Sequence, residues 1–329
     1  MSKDIKDENK KSDVQLVFEF TDSDSQTKKR LVIDDIDKYT IINKKQAEGY
    51  FKKMLKENER IKDTRGHYII SKNENVKSLE GSTLTTKDRS CLMQLLVYAQ
   101  FDDNPLMKDG EPLNVKTISE LWGYNQEATS KRIKKYTKLG ILKPVKNEQD
   151  KRIRNFKLNE EYYLMGRITD GKKFVKLFKR KLADVIDRVK DLEARESRKK
   201  KKTEVIDILG LLNAVMPYFH YQTYYLVNNP DENILRGDET INDALERKVS
   251  PLKHLTRTQI GRILGYKRID LRTIDKYMDY LQQAGAVMVT KNKNRRRYLI
   301  HPDLMFRADG LGQDEYTRTI RNQFSQHDK

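Results

Sequence analysis

Cysteine is almost absent: Cys91 is the only one in 329 residues, so no intrachain disulfide and no multi-cysteine zinc site can form. The five histidines, His67, His220, His254, His301 and His327, are dispersed, with no HxH or HExxH spacing, and a metal site lacks its usual ligand pattern. No apolar run approaches the ~18–20 residues that a bilayer helix needs. The leading MSKDIKDENKKSD does not read as a signal peptide. No membrane contact and a cytoplasmic location are therefore expected. There is no GxxxxGK(S/T) loop, which removes the P-loop ATPases. Hydrophobic residues make up only 36% and mean hydropathy is −0.85, so each core must be small beneath a wide solvated surface.

Acidic charge is the other deficit. Asp and Glu number 49 against 67 Lys and Arg, a net charge of +18, and such an excess favours a polyanionic partner, most commonly nucleic acid. The excess is segregated. Residues 126–157 carry 11 basic against 3 acidic residues, 166–202 carry 15 against 6, and 262–297 carry 10 against 3. Together these windows hold +24, which leaves the rest of the chain at −6.

Residues 1–13 read as polar and disordered. Residues 14–20 and 30–33 read as strands, 44–60 as a helix with Ala47, Tyr50, Phe51, Met54 and Leu55 on one face, and 67–70 as a short strand. The run Cys91, Leu92, Leu95, Leu96 within 86–100 reads as a buried helix. After it, 115–122 is a short helix broken by Gly123, Asn125 can cap a helix to Leu139, and Gly140 ends it. A hairpin over 141–158 completes the order helix, turn, helix, hairpin, which is that of a winged helix-turn-helix.

The grammar recurs. Residues 258–264 form a helix broken by Gly265, and Asp270 caps the next, with Ile269 and Ile274 placed for a hydrophobic staple. Tyr277, Met278 and Leu281 continue its apolar face to Gly285, and a hairpin spans 286–300. Ile118, Leu121, Gly123 and Tyr124 align with Ile260, Ile263, Gly265 and Tyr266, and Gly140 aligns with Gly285 after a three-residue insertion in the second copy. Residues 92–103 align with 211–222. An internal repeat is indicated.

A helix reads DNA by presenting polar side chains to base edges and phosphates in the major groove. In the first copy the candidates are Gln126, Ser130, Lys131 and Lys134 on the reading helix, with Arg152 and Arg154 on the wing beside Lys146 and Lys151. In the second they are Arg268, Arg272, Thr273 and Lys276, with Lys293, Arg295, Arg296 and Arg297 on a denser wing that also holds Lys291; hairpin cations suit phosphate contact. The second copy is expected to carry more of the binding. The plainer alternative is that both copies are protein-docking folds with solvated basic faces.

Val175, Phe178, Leu182, Val185, Val189 and Leu192 are spaced 3, 4, 3, 4 and 3 apart, a heptad-type seam on a helix over 172–192. The seam either makes a homodimer or packs on its own domain. The run 198–202, RKKKK, is a phosphate contact or a solvated linker. No catalytic residue is assigned, because none of the 17 tyrosines gathers His or Arg partners in sequence, and no cofactor is expected.

Residues 172–310 resemble the RepL-type and related MarR-like winged-helix proteins of bacterial plasmids and phages. The resemblance rests on FVKLF at 174–178, LL at 211–212, YQT at 221–223, NPDE at 229–232, residues 260–266, and the closing YLIHPDLMF at 298–306, where His301 stands in place of the usual Asn. A weaker echo covers 84–166. The resemblance implies a DNA-binding protein of a mobile element.

The expectation is thus a mainly α fold with small β-hairpin wings: tandem winged helix-turn-helix modules plus a small N-terminal α/β extension. The divisions are 1–13 disordered, 14–80 extension, 81–166 first module, 167–204 connecting helix, 205–310 second module and 311–329 tail. Function is expected to be sequence-specific binding of double-stranded DNA without catalysis, as a plasmid or phage replication initiator or replication-control protein. A transcriptional regulator is the alternative, and an adaptor on replication or transcription machinery is a rival from another class.

Overall fold

A computed structural model of the chain describes residues 16–21, 28–33, 44–61, 63–101, 103–147, 150–166, 173–198, 205–292, 295–307 and 312–327. The reading of 1–13 as disordered and the cations at 199–202 lie outside these residues. The chain divides into two units, 1–62 and 63–329. In the first, β1 (Leu16–Thr21) pairs antiparallel with β2 (Lys28–Ile33), Leu16 opposite Ile33. The helix α1 (Lys44–Ile61) follows and exposes Tyr50, Phe51 and Met54.

The second unit opens with β3 (Tyr68–Lys72), α2 (Asn73–Lys77) and α3 (Thr86–Leu96). A small hairpin, β4 (Met107–Lys108) and β5 (Glu111–Pro112), leads into α4 (Val115–Trp122) and α5 (Gln126–Lys138). Then come the hairpin β6 (Leu142–Lys146) and β7 (Arg154–Leu158), and the short strand β8 (Tyr163–Leu164). The order begins again with β9 (Phe174–Phe178), α6 (Lys179–Ser197) and α7 (Ile208–Val215), which runs into a 3-10 turn at Met216–Tyr218. After α8 (Ile241–Glu246) follow α9 (Arg257–Ile263), α10 (Leu271–Gln283), the hairpin β10 (Val287–Asn292) and β11 (Arg295–Ile300), β12 (Met305–Phe306) and α11 (Glu315–His327).

The two halves meet in one four-stranded antiparallel sheet of order β12-β9-β3-β8. Its register is reciprocal. Ile70 pairs with Leu164 and Ser71 with Tyr163, while Lys176 pairs with Phe306 and Leu177 with Met305. At the centre Ile70 faces Lys176. The flanking bonds repeat in the same way: Lys72 N donates to Tyr162 O at 2.9 Å and Phe178 N to Leu304 O at 3.0 Å. Asn73 N donates to Lys173 O at 3.0 Å and Lys179 N to His67 O at 2.9 Å. An offset of 106 residues, that from Ile70 to Lys176, thus maps one half's first strand onto the other's, as an internal two-fold axis requires.

The correspondence continues outward. Leu106 N donates to Phe156 O at 2.8 Å, as Leu226 N does to Tyr298 O at 2.9 Å. Asn159 N donates to Ile141 O at 2.9 Å, as His301 N does to Ala286 O at 3.0 Å. Met107 N bonds Tyr98 O where Val227 N bonds Tyr218 O, so Tyr98 matches Tyr218 and the alignment of 92–103 with 211–222 shifts by one residue.

The expected fold class is overturned. Among the described residues helix takes about 46% and strand about 18%, with several small antiparallel sheets, which makes a mixed α+β architecture instead of mainly α tandem winged-helix modules. One core cluster holds residues of both halves, from Ile69 to Phe324. Each half supplies only a two-stranded piece with an open edge, and such a piece is marginal alone. Joining β3 to β9 satisfies both edges and fuses the copies. Residues 63–80 belong to this unit, since β3 is an inner strand, so the division falls at 62/63 instead of 80/81.

Two local readings also change. Residues 174–178 are strand, and the helix begins at Lys179. Val175 and Leu177 are buried between half-buried Phe174 and Lys176, a period of two; the three-residue step from Val175 to Phe178 imitates a helical one. The segment read as a tail holds α11, which buries Tyr316, Ile320 and Phe324 at helical spacing.

Candidate nucleic-acid interface

Both helix–helix–hairpin segments are set by caps that the sequence carries. Asn114 accepts from the Lys116 and Thr117 amides to start α4, and Gly123, at φ 69°, ends it in the left-handed region that suits glycine. Asn125 Oδ1 accepts from the Ala128 amide at 2.8 Å to start α5. Thr129, Ile133 and Tyr136 form the buried face of α5.

Two of the cations on α5 are structural. Asp88 on α3 is buried and accepts from Arg132 Nε at 2.8 Å and Lys135 Nζ at 2.7 Å. Burial pushes the Asp88 carboxyl up, but the bonds from Lys135, Thr85 and Arg132 outweigh it and hold the group below its usual value. This clamp fixes α5 against α3. Sequence could not reveal it, because Asp88 stands 44 residues from Arg132; the one local sign is a pair of cations three apart beside the apolar face.

What remains outward on α5 is Gln126, Lys131 and Lys134, all exposed, with Ser130 half-buried. Lys131 pairs with Glu127 at 2.6 Å, both side chains about three-quarters in water, a contact worth little. In the following hairpin Lys146 sits opposite Arg154, and Lys146, Lys151, Arg152 and Arg154 are exposed. The first segment therefore presents the predicted cations to solvent.

The second segment is built alike but uses its charges differently. Thr256 and Gln259 form a capping box on α9. Asp270 starts α10 by accepting from the Arg272 amide at 2.9 Å and the Thr273 hydroxyl at 3.0 Å, so Thr273 is engaged in the cap. Asp275 on α10 pairs with Arg257 at 2.8 Å and with Arg296 at 2.9 Å. Arg297 is half-buried beside the Tyr225 phenol, where its charge opposes the rise that burial imposes on that group. Two of the three consecutive arginines thus lie along the body of β11 beside protein groups, where the sequence places them on a wing for phosphate contact. Arg268, Arg272 and Lys276 are exposed, Lys276 with its ammonium 5.8 Å from the Tyr280 ring. Lys293 and the side chain of Arg295 lie outside the described residues.

The seam does not form a dimer face. Val175, Phe178, Leu182, Val185, Val189 and Leu192 are each no more than 9% exposed in the single chain, because they pack into its own core. The α6 helix packs against α3, α10 and β9.

Among the described residues no three His, Cys, Asp or Glu side chains gather as metal ligands. Burial raises the Cys91 thiol to about 12, which leaves it an inert thiol. Burial likewise lowers His220 and His254 to about 4, so both are neutral at pH 7. Among the described residues no helix is long and apolar enough to cross a membrane. No family model matches the sequence, and no curated protein matches it.

Proposed function

We propose that the chain binds double-stranded DNA through its two helix–helix–hairpin segments. The observation that carries this reading is the exposed cationic set on α5 and the β6–β7 hairpin, Lys131, Lys134, Lys146, Lys151, Arg152 and Arg154. The pairing of Lys131 with Glu127 lies in solvent and yields readily to a phosphate. A capped helix that offers Gln and Lys beside a basic hairpin supplies base-edge and phosphate contacts in one patch. The second segment adds Arg268, Arg272 and Lys276 from α10 and the loop before it. Because the segments are mates across an internal two-fold, the favoured site is an imperfect inverted repeat, imperfect because the mate of Gln126 is Leu271 and that of Lys134 is Asp279.

The role we infer is that of a replication initiator or replication-control protein of a plasmid or phage, which the resemblance of 172–310 to RepL-type proteins supports. A transcriptional regulator would use the same DNA chemistry and differs in where its sites lie. Selection from random duplexes with the purified chain tests the binding. The expected result is an enriched motif with inverted symmetry, located at an origin for an initiator and at a promoter for a regulator. No retention of any duplex at about 50 mM salt, where phosphate contacts are strong, would sink the proposal.

A further inference from the structure

The two halves differ by one large insertion. Leu113 N donates to Leu106 O at 2.8 Å and Leu255 N to Leu226 O at 3.0 Å, and the next residues, Asn114 and Thr256, cap α4 and α9. Register therefore matches on both sides of this connection. Between the bonded leucines the first half has six residues, 107–112, and the second has 28, 227–254. The first half closes with the β4–β5 turn alone, so the fold does not require the other 22 residues. They are nevertheless ordered. Val227, Ile234, Ala244 and Leu252 form a small core apart from the main one, and Thr240 and Asp243 make a capping box on α8.

Charge along the insertion is segregated. Residues 228–246 hold six acidic residues and one basic, whereas 247–269 hold seven basic and none acidic. Four of the six acids are engaged: Asp231 with Lys173 and Arg307, Glu232 with Asn229, Glu239 with Arg247, and Asp243 in the α8 cap. At the basic end Lys248 and Lys253 are exposed. Lys253 stands 3.7 Å from Glu232, both side chains more than half in water, a pair worth little. The loop that carries them is fixed from below. Buried Asn229 accepts from the Lys253 amide at 2.9 Å and donates to Pro251 O at 3.0 Å, and Asn228 N donates to Lys253 O at 2.8 Å. Val249, between the two lysines in sequence, is 80% exposed, so the loop projects. It also borders the second segment, since Ser250, Leu252 and Lys253 line one cavity with Leu271 of α10 and Arg297 of β11.

We infer that the loop 247–253 is a phosphate-binding arm, with Lys248 and Lys253 on the backbone of the duplex that flanks the second segment's half-site. This rests on the DNA reading and deepens it. Lysines act as point charges on phosphates and carry no base preference. A loop already held by Asn229 loses little freedom on binding. The first half lacks the insertion, so the contact is one-sided, and the second half's footprint extends further along its flank.

Hydroxyl-radical footprinting and salt-dependent affinity of the full chain on its selected duplex test this. The wild type should protect a longer flank beside the half whose selection Arg272→Ala relaxes. Lys248→Gln combined with Lys253→Gln should lose that flank alone and keep the selected motif and the melting temperature. Its slope of log affinity against log salt should become shallower by up to about 1.8, two phosphates at about 0.9 each. Replacing 227–254 with a copy of 107–112 should also lose the flank. The short turn fits there because Met107 N and Val227 N make the same bond, to Tyr98 O and Tyr218 O. If that graft does not fold, the lysine variant decides alone. Arg318→Gln removes an exposed cation of α11 and should change neither flank nor slope. Equal flanks in the wild type, or an unchanged flank and slope in the lysine variant, overturn the arm and leave the DNA reading standing. A slope change in Arg318→Gln as large, per charge removed, as in the lysine variant would assign the effect to overall charge and overturn the arm too. A wild-type chain that retains no duplex would sink both.

Discussion

Gly210 on α7 lies against the Thr86 carbonyl of α3: a Cβ added to it would collide with that oxygen and stand 2.8 Å from its carbon. The two-fold mate of this approach is Ser90 on α3, whose hydroxyl donates to Ile206 O at 2.6 Å. Each helix thus meets, through a small residue, backbone at or just before the start of the other, and the halves are held at that separation. Gly210→Ala forces backbone apart instead of a flexible side chain, and overpacking of this kind costs about 1–3 kcal/mol. Chemical denaturation should show that destabilisation. A Gly210→Ala chain as stable as the wild type would mean that α3 and α7 do not cross so closely.

The burial of the α6 stripe gives a second expectation. Leu182→Ala should cost about 2–5 kcal/mol, as large-to-small changes in a packed core do. Leu182→Asp should leave the chain unfolded or aggregated, since an unpaired carboxylate in that core has no partner. A dimer face would answer differently, with the particle mass halved in light scattering and the melting temperature kept. That second outcome would restore the seam as an interface.

These two cases mark what local sequence can carry. Caps, breaks and apolar faces are local, so Asn114, Asn125, Gly123 and Asp270 stand in the sequence where the helices begin and end. The repeat is legible because Ile118–Tyr124 and Ile260–Tyr266 share chemistry at one spacing. The sheet is not, since β8 and β12 are two residues each and take their meaning from partners about a hundred residues away. The apolar step at 175–178 fits a heptad as well as a strand end, and only the pairing with β3 decides between them. At the candidate site the exposed cations are readable by type, but Arg132, Lys135 and Arg296 are claimed by Asp88 and Asp275, which no nearby residue announces.

Neutral buried histidines make stability fall with acid. His220 is fully buried and held at about 4 against an ordinary 6.5, chiefly by burial. Its folded value is the lower one, so its contribution is complete above pH 6.5 and is lost as pH falls toward 4, by up to about 1.4 kcal/mol per pH unit. His254 acts over the same window. Asp88, held below its usual value, adds a separate loss at lower pH. Urea melts from about pH 7.5 to about pH 4.5 should show the decline, and His220→Asn, if it folds, should flatten it. A flat profile for the wild type would mean that the histidines titrate in the folded chain as they do in water.

The charge distribution predicts which segment dominates DNA binding. Each phosphate contact adds about −0.9 to the slope of log affinity against log salt. Replacing Lys146, Lys151, Arg152 and Arg154 with Gln should make that slope shallower by up to about 0.9 for each phosphate no longer neutralised, and weaken specific and random duplexes alike. Arg296→Gln should behave otherwise, because its guanidinium faces Asp275: stability should fall while the slope stays. On the helices, Gln126→Ala or Arg272→Ala should cost the selected site about 1–3 kcal/mol and random DNA little, if each touches a base. Because the two segments are mates across the axis, each helix variant should relax selection in a different half of the inverted repeat. If both relaxed the same half, the two-fold would not extend to the DNA. If Arg296→Gln lowered the slope as much as the first-segment variant, the second hairpin, which the Asp275 clamp holds to the protein, would be the phosphate contact instead.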